Sequence, residues 1–96
     1  MNNYEVLFVI ANALDDEAKE ATVGIVQTII TDGGGEVERV DITGTRKLAY
    51  PIEKKTEGYY VLVEFTAPPE LPKELDRRLR ISDDVIRHII VNRDEK

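Results

Sequence analysis

The 96-residue sequence contains no cysteine and a single histidine, His88. A disulfide framework and a thiolate metal centre are thereby excluded, and any metal site would have to be built from carboxylates. Lack of thiols also fits a reducing compartment. Long apolar runs are missing too. The longest, VLFVIANAL at residues 6–14, reaches about half the ~20 residues a membrane-spanning helix needs, and no basic stretch precedes it as in a secretory signal. The chain reads as cytosolic. Positive charge is scarce: 13 Lys and Arg stand against 19 Asp and Glu, a net charge of −6 and a pI near 4.8. Such a balance opposes solitary, non-specific binding to nucleic acid.

What is present is the composition of a folded globular domain, 42% apolar and 33% charged, with a length that fits one hydrophobic core and hence one domain over residues 1–96. The charge is unevenly spread. Residues 1–35 hold Lys19 against six acids, whereas residues 36–58 balance five basic residues against five acids and residues 59–96 set seven against eight. An anion-binding surface must therefore come from the second two-thirds of the chain.

Residues 4–10 (YEVLFVI) form a β-branched and aromatic run with apolar residues at both parities, the pattern of a central strand covered on two faces. At Asp15 the period changes. Asp15 or Asp16 can cap a helix whose first turn is acidic, and Ala18, Ala21, Thr22, Ile25 and Ile29 recur at three- and four-residue spacing with Val26 and Ile30 beside them. The Gly33-Gly34-Gly35 triplet ends it through left-handed conformations. Residues 36–52 read as a long strand interrupted by a bulge or bend at Gly44, and Pro51 assigns it to an edge. After a polar turn at residues 54–58, residues 59–66 (YYVLVEFT) form a second central strand. Pro68, Pro69 and Pro72 then introduce a helix carrying Leu71, Leu75 and Leu79, and residues 85–92 form the last strand. With right-handed crossovers the order β-α-β-β-α-β closes most economically as an α+β ferredoxin-like sandwich, a four-stranded antiparallel sheet in order 4-1-3-2 with both helices on one face.

Few side chains suit catalysis. His88 lies among Val85, Ile86, Ile89 and Ile90 and reads as a packed strand residue; no Ser/His/Asp grouping can be assembled; and the triple glycine follows a helix, the wrong order for a phosphate loop. The acids at 15–17 are explained by capping and the helix dipole. No catalytic residue, metal or cofactor is expected.

A binding role fits better, because a sheet with helices on one face exposes the other. If Val6, Phe8, Val61, Val63 and Phe65 face the helices, Leu7, Val9, Tyr60, Leu62, Ile89 and Val91 line the open face and form a candidate partner surface. The RNA-recognition motif uses such a face, but residues 57–64 lack its basic start, its second stacking aromatic and its last aromatic. Arg46 and Lys47, beyond the Gly44 break, and Arg80 and Arg87, around the end of the second helix, are candidates for phosphate contacts. A solvated helix end pairing Arg77, Arg78 and Arg80 with Glu74, Asp76, Asp83 and Asp84 accounts for the helical arginines equally well.

Gly44-Thr45-Arg46-Lys47-Leu48-Ala49-Tyr50-Pro51-Ile52 resembles the signature of the bacterial small-subunit ribosomal protein S6 family: Gly, any residue, a basic residue, a polar or basic one, then Leu-Ala-Tyr-any-Ile. The similarity extends to Tyr4-Glu5 with its strand, Gly58-Tyr59, the proline-led helix, and Leu79-Arg80-Ile81 through Asp83 to Val85 and Arg87. This resemblance implies the same sandwich fold, a non-enzymatic structural role on the cytoplasmic ribosome, and a heterodimer with ribosomal protein S18 that joins the central domain of small-subunit ribosomal RNA. A basic partner meeting the acidic and apolar surface, with RNA touching a minor basic strip, reconciles that role with the net charge. Asn2 and Asn3 stand where some relatives have basic residues, which removes support for an N-terminal phosphate contact. The rival reading is a small-molecule-sensing regulatory domain of the same fold that homodimerises through its sheet; it predicts a glycine-rich loop after the first strand, where residues 11–14 have no glycine.

Overall fold

A computed structural model describes residues 1–11, 15–52 and 55–94, with the side chains of 46–52 and 55–57 outside the description. The chain runs β1 (Asn2–Ala11), α1 (Asp16–Asp32), β2 (Glu36–Ile52), β3 (Lys55–Ala67), α2 (Leu71–Arg80) and β4 (Val85–Asn92). All pairings are antiparallel and the sheet order is β2-β3-β1-β4, as the strand pattern predicts. Among the described residues no helix is long and apolar enough to cross a membrane.

The layers follow from strand parity. Val6, Phe8, Val61, Val63 and Phe65 are fully buried beneath the helices, where Tyr4 and Phe65 add a tilted ring contact with centroids 5.7 Å apart. Leu71, Leu75 and Leu79 supply the inward stripe of α2. In α1 the buried set is Lys19, Thr22, Val23, Val26, Ile29 and Ile30, whereas Ile25 is 54% exposed and Ala21 lies outside. The apolar stripe is thus rotated by about one position from the sequence expectation, and it includes Lys19, whose aliphatic stem is buried while its ammonium rests 4.8 Å from the centroid of the Tyr59 ring.

Local chemistry sets the element ends. Asp15 caps α1 by accepting the Ala18 amide at 2.8 Å. Of the three terminal glycines only Gly34 is left-handed, with φ 87°, so the triplet does not end the helix through repeated left-handed turns. Gly35 is needed for a different reason: a Cβ there would lie 2.7 Å from the Thr66 carbonyl oxygen, where β2 enters beside β3. Gly44, at φ 94°, coincides with a register shift between Ile42 and Gly44, the expected bulge. The β2–β3 hairpin is longer than its polar residues suggest, since β3 begins at Lys55 rather than Tyr59.

His88 joins the layers. Its Nε2 donates to Asp76 Oδ1 on α2 at 2.7 Å, and Asp76 also pairs with Arg80 one turn along the helix. The His88 hydrogen bond, assisted by the charge of Arg80, holds the Asp76 carboxyl below its ordinary value of 3.8 despite partial desolvation. A depressed carboxyl contributes stability that is present above the unfolded-state value and is lost as pH falls through the folded-state value. In urea unfolding, the stability gap between the native chain and an Asp76→Asn variant is therefore expected to be open at neutral pH and to close below about pH 4. A gap that does not change with pH would exclude this contribution.

Candidate functional site

Cross-strand register arranges the uncovered face of the sheet in rows. One row reads Arg39, Glu64, Glu5, Val91; the next Asp41, Leu62, Leu7, Ile89; the next Gly44, Tyr60, Val9, Arg87, each in the order β2, β3, β1, β4. By register all six residues expected on this face fall there, five of them exposed or half-buried. The centre is apolar, and Ile89 and Val91 are 57% and 42% exposed. Val9 departs from expectation, being only 4% exposed. It sits in register between Tyr60 and Arg87, whose long side chains flank it, so it supports the surface from below instead of offering contact area. Leu7, Val9, Tyr60, Arg87, His88 and Ile89 line a shallow depression of about 260 Å³, large enough for one or two side chains of a partner.

The candidate phosphate ligands divide between the layers. Arg87 is exposed on the open face beside Val9. Arg80 projects from the helix layer and is bound by Asp76; Arg77 meets Glu74 at 2.6 Å and Arg78 meets it at 3.9 Å. The arginines of α2 thus follow the solvated-helix reading, and Arg80 does not share a face with Arg87. In the backbone register Arg46 lies opposite Gly58 and Lys47 opposite Glu57; the side chains of both lie outside the described residues. Gly58 in turn faces Ala11, whose amide donates to the Asp84 carbonyl oxygen, so Arg46, Arg87 and Arg80 belong to the same end of the sheet. That end also receives Asp83, Asp84 and the acidic first turn of α1.

At the opposite end acids prevail. Glu5 and Glu64 are direct cross-strand neighbours, with Arg93 3.8 Å from Glu64. Like charges directly opposite each other are unfavourable in an isolated sheet. Asn3 donates its backbone amide and its Nδ2 to the Asp94 carboxylate at 2.9 and 3.0 Å, clipping the turn after β4 to the start of β1. Asn3 is thereby committed to structure. The register of Glu5 with Glu64 is a long-range pairing, and no local signal in the sequence announces it. The junction after β1, where the ligand-sensing alternative needs a loop, includes residues 12–14, outside the described residues.

The sequence model of the family Ribosomal protein S6 matches residues 3–92. The chain belongs to the ribosomal protein S6 family. It is 54% identical over 96 residues to the small ribosomal subunit protein bS6 of Clostridium kluyveri, covering all of both chains. The corresponding protein of Clostridium acetobutylicum is 54% identical over 92 residues, covering 96% of this chain and 97% of that one. The crystal structure of 30S ribosomal protein S6 from Thermotoga maritima superposes with a TM-score of 0.93 at 32% identity, covering 98% of this chain and 89% of that one. The S6 family consists of ribosomal structural proteins.

Proposed function

We propose that this S6 family member, a small-subunit ribosomal protein of the bacterial cytoplasm, pairs with protein S18 through the open sheet face and that the two bind the central domain of small-subunit ribosomal RNA together. The observation that carries this reading is the row of Leu62, Leu7 and Ile89, with Val91 beside it, left uncovered by both helices in a chain that belongs to an assembly. A contiguous apolar face of this kind is an interaction surface more often than a solvated one. The acidic end at Glu5 and Glu64 suits a basic protein, while Arg87 and the Arg46-Lys47 segment at the other end suit phosphate oxygens. With a net charge of −6, the chain alone has little general attraction for RNA.

A gel-shift titration of the central-domain RNA tests this division of labour. The mixture with S18 is expected to bind far more tightly than the chain alone, and equal affinity would overturn the proposal. Within the mixture, Arg87→Ala is expected to weaken binding and to flatten the slope of log affinity against log salt by about 0.7 to 0.9, the contribution of one phosphate contact. An unchanged slope and affinity would remove Arg87 from the RNA site.

A further inference from the structure

Glu5 differs from the acids beside it on the open face. Asp41 pairs with Arg39 at 3.2 Å and Glu64 has Arg93 at 3.8 Å, whereas Glu5 makes no hydrogen bond or ion pair with any described residue. Its position makes that isolation costly. Glu5 is half-buried on the central strand β1, with Glu64 directly opposite on β3, Val91 opposite on β4, and Leu7 two residues along the same face. Direct cross-strand neighbours hold their Cβ atoms about 5 Å apart, so the two carboxylates repel each other. Arg93 answers this contact on the Glu64 side. Only water on the uncovered side of the sheet is left to solvate Glu5.

A partner seated on the row of Leu62, Leu7 and Ile89 displaces that water, because successive residues on one face of a strand lie only about 7 Å apart. Stripping water from a carboxylate without supplying a cation is strongly unfavourable. We infer that Glu5 determines which protein the open face accepts: it receives a lysine or arginine that S18 brings to the face beside the apolar group covering Leu7. The inference rests on the reading that S18 occupies this face. The apolar rows offer area to any hydrophobic surface, whereas Glu5 rejects a surface with no cation at this point, and specificity needs such a repulsive element. A second feature fixes the spacing. The depression lined by Leu7, Val9, Tyr60 and Ile89 takes an apolar side chain, and positions 5 and 9 of an extended strand are about 14 Å apart. The complementary surface therefore carries a cation and an apolar anchor separated by about that distance. In the free chain the Glu5 carboxylate opposes folding through Glu64, and its favourable contact forms only in the complex.

Calorimetric titration of S18 into a Glu5→Gln variant, which keeps the shape of the side chain and removes its charge, tests the inference. Affinity is expected to fall at least about tenfold, while the melting temperature of the free variant equals or exceeds that of the native chain because the repulsion with Glu64 is gone. Glu64→Gln, whose charge is already answered by Arg93, is expected to lose less than about threefold. Native affinity in Glu5→Gln would overturn the inference. So would equal losses in the two variants, which would report the general field of the acidic end, or a loss accompanied by a lower melting temperature, which would make Glu5 a structural residue. Leu62→Lys, titrated alongside, separates this inference from the reading beneath it. Loss of affinity in Leu62→Lys but not in Glu5→Gln would leave the open face as the interface and remove Glu5 from its role; native affinity in both, or a native chain that does not bind S18, would overturn the two together.

Discussion

Replacing Leu62 with lysine is expected to weaken association with S18 at least about thirtyfold, equivalent to about 2 kcal/mol, while the chain remains folded. Leu62 is the residue to choose because of its place in the register. It lies between Asp41 and Leu7 on the central strand β3, with Ile89 one strand beyond, so any partner seated on the face covers it. Central, fully desolvated positions carry most of the energy of an interface, whereas rim positions carry little. Lysine removes the apolar contact and sets an ammonium against a basic partner, so attraction is lost and repulsion is added. Its long stem can still lie along the half-buried surface and carry the charge to water, which limits the cost to the free chain. Calorimetric titration of S18 into the variant, beside a Leu62→Met control that keeps volume and polarity, measures the effect. Full affinity in the lysine variant would remove the open face from the interface.

Phe8→Ala is expected to cost about 3–5 kcal/mol of folding stability. Phe8 is fully buried on β1, facing the helices between Val6 and Ile10. β1 is paired on both sides, by β3 and β4, so the surrounding backbone has little freedom to collapse into the space left behind. The residual cavity adds to the lost transfer energy. Since small domains are stable by about 5–15 kcal/mol in total, the variant falls near the threshold of folding, and its melting temperature is expected to drop by more than about 10 °C. A melting curve displaced by only a few degrees would mean that the core repacks around the site.

The architecture was legible because its determinants are periodic. Alternation along residues 4–10 and 59–66 separates a helix-facing set, now buried at Val6, Phe8, Val61, Val63 and Phe65, from an open set, and Gly44 and Pro51 mark the edge strand. What escaped the sequence depends on atoms within a side chain or on contacts far along the chain. Lys19 is charged, yet the residue is buried with its ammonium over the Tyr59 ring, while Ile25 of the expected apolar stripe faces outward. Val9 reads as part of the docking face, but burial by neighbours of unequal size is not a matter of parity. The arginines near residue 80 form one cluster in sequence, whereas the turn between α2 and β4 sends Arg80 to the helix layer and Arg87 to the opposite face. The pairing of Glu5 with Glu64 spans most of the chain. The role of the site was read from the signature at residues 44–52, since an open apolar face by itself does not name its partner.

Titration of isotopically labelled chain with S18, followed by amide chemical shifts, tests most directly whether the open sheet face is the interface. The expected result is a contiguous set of perturbed amides on β1, β3 and β4 around Leu7, Tyr60, Leu62, Ile89 and Val91, with the outward residues of α1 and α2, such as Ile25 and Arg77, unmoved. Perturbations confined to the helix layer, with the sheet residues unchanged, would contradict the account.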